Sequence, residues 1–404
     1  MATIIKTPNK DSKGIVIFTD KEKDNLLSKR KQQLKALKSN WIIGLHHNCW
    51  YDYNFNYDPI YDFSIASKDD IKEVKGQKFP IFEGSVVNFN NDNIWKFSKE
   101  NNHWDLINIS KNADYKKNEN FIRVVREIYN RGIKIRALMI TFKEPDKIFK
   151  KKSLNDFYLE EFNEEERQLF NLIELDTSSP PFDFKTLAYF YSSAKVFCST
   201  SEIEHRPRIP SYAISSGIPI VVSKSVSTLF PNKLRKEPGV FVANTTTDFA
   251  NKIIKALKYV NSSFYSKESM QPFIDYFSSK KTIIRLKEFM FKNFNLNLED
   301  SETLNLKKLD LRLARHMGFG NDLISSVPIN MDSFIEFLKK ENKHELIKIM
   351  NADDLERSLS QSGFVSSENQ LTKRPLISRL KTFLIKYRLD SFPRIIQEYF
   401  NLKI

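Results

Sequence analysis

The residues with most chemistry to offer lie between 201 and 222, where the chain reads SEIEHRPRIPSYAISSGIPIVV. An apolar run ends just before this stretch. A loop of mixed charge follows, then a short helical pattern, a glycine and a β-branched run. The carboxyl end of a parallel strand, leading into a helix, is the usual ligand crevice of an α/β sheet. Free amides at such a helix start favour phosphate. In that setting Glu204 is suited to accept hydrogen bonds from sugar hydroxyls, and Arg206 and Arg208 to grip phosphate oxygens. The same residues would equally form a Glu/Arg network on a surface loop, and spacing alone leaves both readings open.

Two further groups carry functional side chains. Lys111, Lys116 and Lys117 follow the apolar run 104–109 (WDLINI). By themselves they read as a solvated lysine cluster beside a helix. His46 ends the run 41–46 (WIIGLH). A lone histidine there is often structural.

The elements that must position these residues follow from periodicity. Strands are expected at 14–18, 41–45 and 62–66, with 86–89 (VVNF) as a fourth short apolar run. A helix is expected over 20–38. A second series places strands at 104–110, 135–142, 169–175, 195–198, 218–222 and 239–243. Helices over 120–130, 159–168, 184–192, 209–216 and 248–260 separate them. Strands separated by helices of this length imply a parallel sheet. After about 293 the strand signal ends and helices are expected, among them 331–338 and 345–350.

Several chemistries lose their signature. The sequence has no Asp-x-Asp, no G-x-x-x-x-G-K-[ST], no G-x-G-x-x-G and no G-x-S-x-G. The six histidines show no zinc spacing. Only Cys49 and Cys198 occur, so no disulfide framework is expected and a cytoplasmic protein is. The net charge of +14 favours an anionic partner, or else reflects a compositional bias. Residues 371–404 carry eight Lys/Arg and two Asp/Glu. They form a basic amphipathic pattern suited to an anionic inner membrane face or to packing on the protein itself.

Together these segments resemble the GT-B glycosyltransferases, especially their retaining, family 4-like group. That group shows a Glu, seven residues, a second Glu, then Ala, small residues, Gly-x-Pro and a valine-rich strand. Counting back from Gly217-Ile-Pro219 places the first Glu on Glu204 and the second on Tyr212, a departure. The resemblance implies that Glu204 faces a donor sugar and that Tyr212 stands where the ribose is bound. His205-Arg206-Pro207 replaces the group's Gly-Phe-Gly. The run WDLINIS resembles the donor-domain opening, where Gly-Arg and a later Lys-Gly hold the donor diphosphate in place of a metal. Ser110-Lys111 takes the Gly-Arg place and Lys116 the Lys, with Lys117 one residue away. Lysine for arginine keeps the charge and gives up bidentate geometry. WIIGLHHNCWYD resembles the acceptor-side strand ending in His-Asp, which implies a site role for His46.

The implied architecture is α/β, a GT-B-like pair of Rossmann-type parallel-sheet domains with an α-helical C-terminal extension. Residues 1–98 form a shortened acceptor-side domain without a counterpart for the family's first strand. Residues 99–293 form the donor domain and 294–404 the extension, with a linker at 88–103. The implied function is a metal-independent, cofactor-free hexosyl transfer from a nucleotide sugar to a glycan or lipid-linked glycan. Retention of configuration is implied by the resemblance alone. A catalytically impaired GT-B-like binding module and a basic, DNA-modifying protein are the competing readings.

Overall fold

The computed structural model describes residues 2–19, 30–46, 59–66, 80–97, 103–143, 153–176, 182–202, 204, 207–307, 309–313, 331–339, 344 and 346–347. They contain two sheets.

The first sheet has five strands in the order β1-β2-β3-β4-β5. These are β1 (Ala2–Lys6), β2 (Gly14–Thr19), β3 (Trp41–His46), β4 (Phe63–Ala66) and β5 (Ile81–Glu83). β2 to β5 pair in parallel, and β1 lies antiparallel on the outer edge of β2. The strand period of two sorts the side chains onto opposite faces. Ile15, Ile17 and Ile42 enter one core, and Val16, Phe18, Ile43 and Leu45 the other. Helix α1 (Lys31–Leu37) covers the second face through Leu34 and Leu37.

The second sheet runs β11-β10-β9-β6-β7-β8, all parallel. It is formed by β6 (Trp104–Ile109), β7 (Ala137–Lys143), β8 (Phe170–Asp176), β9 (Ala194–Ser199), β10 (Ile220–Ser223) and β11 (Val240–Ala243). The connecting helices are α2 (Asn118–Asn130), α3 (Leu154–Glu161), α4 (Glu164–Leu169), α5 (Phe184–Ser192), α6 (Arg208–Ser215), α7 (Lys224–Ser227) and α8 (Thr246–Val260). The chain lays β7 and β8 on one side of β6 and then returns to lay β9, β10 and β11 on the other. The order therefore reverses between β6 and β9, where an open α/β sheet leaves its ligand crevice. The expected pair of Rossmann-type α/β domains is present.

Two expectations need correction, and one strand has no counterpart among them. Residues 86–89 form a 3₁₀ turn, because Ser85 and Asn88 close a reciprocal capping box around it; the fourth parallel strand lies just upstream, at β5. The helix expected over 159–168 is two, α3 and α4, because Ser153 and Asn163 each cap a separate start. β1 went unread: its five residues hold only two aliphatics beyond alanine, and its partner strand lies eight residues away.

Two connections join the sheets. Asn90 bridges to Ser278, donating its amide to the Phe277 carbonyl at 2.9 Å and accepting from the Ser279 amide at 2.9 Å. Its side-chain amide reaches Ser215 Oγ at 2.9 Å and Ser211 Oγ at 3.3 Å on α6. Helix α9 (Lys267–Phe277) then leads into α10 (Ser279–Phe294), which returns to the first sheet and sets Phe289 and Phe294 against Phe63.

Described residues after 294 pack against the first sheet. Asn305 donates to the Ile5 carbonyl at 2.9 Å, and Thr7 to the Thr303 carbonyl at 2.8 Å. Arg312, in the short helix α11 (Leu309–Arg312), is buried and bonds Thr3 Oγ1 at 3.0 Å and the Asn305 carbonyl at 2.8 Å. Helix α12 (Met331–Lys339) seats Phe334, Ile335 and Leu338 on the face of β2 and β3, and Trp41 Nε1 donates to the Leu338 carbonyl at 2.9 Å. A Phe334→Ala chain is therefore expected to lose about 3 kcal/mol of stability, in line with truncation of a buried aromatic. Urea unfolding followed by tryptophan fluorescence measures this, and an unchanged midpoint would separate α12 from the first domain. The segment 371–404 lies outside the described residues. Among the described residues no helix is long and apolar enough to cross a membrane.

Candidate functional site

The site is built from two loops that leave adjacent strands. β6 ends at Ile109, and residues 110–117 lead from it into α2. β9 ends at Ser199, and the chain passes Glu204 before α6 begins at Arg208. Because β6 and β9 are hydrogen-bonded neighbours, both loops emerge side by side at the reversal point.

Buried polar side chains fix the first loop. Asn118, at the start of α2, donates to the Lys111 carbonyl at 2.9 Å and to Thr141 Oγ1 at 3.1 Å. Its Oδ1 accepts from the Ser110 hydroxyl at 2.7 Å. Asn108 carries the network across the sheet by donating to the Cys198 carbonyl at 2.8 Å. Lys117 adopts a left-handed backbone with φ of 50°. That conformation costs an L side chain energy and is commonest in glycine. It is also the position where the resembled pattern has glycine after its lysine.

The second loop is laced to the first. Thr200 Oγ1 donates to the Lys117 carbonyl at 2.8 Å, and the Glu202 amide to the Tyr115 carbonyl at 2.9 Å. Ser223 at the end of β10 holds the Ser201 carbonyl at 2.5 Å.

Side chains meet across this seam. Lys116 Nζ pairs directly with Glu204 Oε1, and the two side chains are only 15% and 10% exposed. The Lys116 ammonium also lies 5.2 Å from the centre of the Tyr115 ring. Burial, with a smaller contribution from the Lys111 charge, pulls Lys116 down to about 8. Glu204 at contact distance opposes that shift by favouring the ammonium. Lys117 pairs with Glu202 at 3.4 Å in a more open position. Lys111 is exposed at the start of the same loop.

The sequence-derived residues are thus partly assembled. Glu204 and Lys116 meet at this seam, Lys117 lies beside them, and Lys111 stands exposed on the same loop. Arg208 opens α6, half-buried, and its carbonyl accepts from Ser211 Oγ at 2.7 Å. Pro207 at the N-cap offers no side-chain hydrogen bond to that helix start. Arg206 lies outside the described residues. His46 closes β3 in the other domain, fully buried between Thr19 and Ile65 in register. Tyr212 is in the core: its ring stacks on Trp95 at 4.3 Å with an 8° interplanar angle, and Phe184 packs edge-on at 5.4 Å. It offers no ring face to a ribose or base in this arrangement.

Sequence reasoning missed Asn118, Tyr115 and Asn90. A polar residue opening a helix was the one available sign for Asn118. Nothing local marks the other two, which act across 120 residues or through a ring beside a lysine.

No family model matches this chain, and no curated protein does. Solved structures resemble it. The pneumococcal O-GlcNAc transferase GtfA, in complex with UDP and GlcNAc, is 15% identical over 65% of this chain and 54% of its own, with a TM-score of 0.47. The chain thus spans about half the length of that protein. Sucrose-phosphate synthase from Thermosynechococcus elongatus is 11% identical over 70% of this chain and 74% of its own, with a TM-score of 0.48. HepE of Anabaena, in complex with UDP, is 10% identical over 65% of this chain and 75% of its own, also with a TM-score of 0.48.

Proposed function

We propose that this chain is a GT-B-type glycosyltransferase that moves a hexosyl group from a nucleotide-diphosphate sugar to a glycan or lipid-linked glycan hydroxyl. The observation that carries this reading is the convergence of Lys116, Lys117 and Glu204 at the switch point between β6 and β9. Two lysines and a carboxylate there match what the departure of a nucleoside diphosphate requires.

The lysines supply positive charge where negative charge develops on the leaving diphosphate, which is the main need of a transfer without a metal. The start of α6 adds backbone amides, with Arg208 beside them. Glu204 accepts from the sugar hydroxyls and fixes the anomeric carbon against the incoming hydroxyl. His46, at the carboxyl end of β3, is fully buried in the first domain and is given no sugar contact in this reading. Tyr212 acts through its stack with Trp95, which seats α6. Retention of configuration belongs to the same reading, as does acceptor binding at an anionic membrane face.

The test is a thermal-shift panel of nucleoside diphosphates and their sugars, followed by an assay of nucleoside diphosphate release with the best donor. One base is expected to raise the midpoint clearly above the others. Glu204→Ala is expected to lower turnover at least a hundredfold while still responding to the nucleoside diphosphate. If no nucleoside diphosphate moves the midpoint, the proposal fails.

A further inference from the structure

We infer that the loop bearing Glu202 and Glu204 is an internal anion that occupies the phosphate-binding lysines until a diphosphate displaces it. This rests on reading the crevice as the donor site, and names what that site selects.

Each inward lysine already has a carboxylate from the same short loop. Lys116 pairs with Glu204 and Lys117 with Glu202. The first pair is largely withdrawn from water, so neither charge is easily left alone: removing one partner strands the other. The second is more exposed and contributes less. The base of the loop is held independently, through the Glu202 amide to Tyr115 and the Ser201 carbonyl to Ser223. The Glu202 carboxylate can therefore leave its lysine while the base of the loop at 201–202 stays anchored.

A ligand must offer more than it displaces. A neutral sugar brings no charge to Lys116 and would leave the Glu204 pair in place. A single phosphate answers one lysine. A diphosphate reaches Lys116 and Lys117 together, with Lys111 on the same loop; as the diester of a nucleotide sugar it matches the two carboxylates in charge, and as free nucleoside diphosphate or pyrophosphate it exceeds them. The crevice thus selects for a diphosphate by making it compete with a built-in anion. The exchange also orders events: Glu204 is released toward the sugar only when Lys116 has been taken by phosphate.

Inorganic pyrophosphate tests this without any assumption about the base or sugar. Titration calorimetry at low salt, with orthophosphate in parallel, compares wild type with Glu204→Gln, Glu202→Gln and Glu204→Asp, each first checked by thermal melting. Glu204→Gln is expected to bind pyrophosphate about tenfold more tightly than wild type, from loss of one competing charge-assisted bond. Glu202→Gln should gain about twofold, in keeping with a partly exposed pair. Glu204→Asp, which keeps the charge, should gain far less than Glu204→Gln. In a Lys116→Ala background the Gln substitution should gain nothing, because the pair it relieves is gone.

Equal pyrophosphate affinity in wild type and Glu204→Gln would overturn the inference and leave the donor site standing. So would a gain that persists in the Lys116→Ala background, since that would be a general charge effect. Absence of pyrophosphate binding in every variant would remove the donor-site reading and this inference together.

Discussion

Alanine at Lys116 is expected to weaken nucleoside diphosphate binding by roughly 10- to 100-fold, the measured counterpart of about 1.5–3 kcal/mol for a hydrogen bond to a charged group. The effect should exceed that of Lys111→Ala or Lys117→Ala. Lys116 is the lysine turned into the crevice, and its side chain is mostly shielded from water, whereas Lys111 is exposed and Lys117 is half-buried. Shielding raises the strength of a charge–charge contact. Lys116→Arg is expected to recover part of the binding. It restores the charge, but its larger planar head meets the Tyr115 ring and Glu204 in a space shaped for an ammonium.

The same residue sets a pH dependence. Lys116 is pulled down to about 8, first by burial and then by Lys111. The groups around it are Lys111 and Tyr115 on its own loop, Glu204 and Glu202 from the facing loop, and Lys117 beside it. Phosphate is bound by the ammonium, so affinity is present below pH 8 and falls as pH rises through that value. Above it, the dissociation constant should rise about tenfold per pH unit until the bound-state value is reached. In Lys116→Arg the fall should vanish, because guanidinium stays charged throughout. A flat wild-type profile between pH 7 and 9.5 would remove Lys116 from the phosphate contacts.

The legible part of this site was its frame. The apolar run at 104–109 and the β-branched run at 220–222, with Gly217 between helix and strand, announced parallel strands and their crevice. Gly217 is a physical requirement as well: its φ is +84°, and a Cβ there would stand 2.3 Å from the Phe97 ring. That Lys116 belongs with Glu204 was an implication of the resemblance, and the structure brings the two side chains into contact.

Their mutual contact was not legible in the residues themselves, since β6 and β9 become neighbours only after the chain has laid down β7 and β8 elsewhere. Tyr212 shows the opposite failure. A residue at a binding position in a pattern was read as a ligand contact, yet its neighbour Trp95 lies 117 positions away and turns it into core. The same non-local packing hid the role of residues 300–313. Their bonds to β1 span the chain, Arg312 reaching Thr3 across 309 positions, and a buried arginine carries no sign of its place in the core.

Trp95→Ala is expected to cost about 3–5 kcal/mol, as for deletion of a buried tryptophan. Trp95 is 3% exposed and touches three aromatic rings: Tyr212 stacked at 4.3 Å, Phe184 at 5.6 Å and Tyr191 at 6.0 Å. It belongs to the segment between the sheets, while its partners lie on α5 and α6. Removing it therefore opens a cavity where the linker meets the helix that starts four residues after Glu204. Two results are expected together. The unfolding midpoint in guanidinium should fall at unchanged slope. At temperatures where the variant is still folded, the nucleoside diphosphate should also bind more weakly, because α6 has lost the ring that seats it. Trp95→Phe keeps a stacking face and should recover about half of the stability. Asn90→Ala, which cuts α6 from the linker at Ser211 and Ser215 without touching the ring stack, should reproduce the binding loss at a smaller stability cost of about 1 kcal/mol. If Trp95→Ala loses stability while nucleotide affinity holds, α6 is seated by the sheet alone and the linker acts only as a tether between domains.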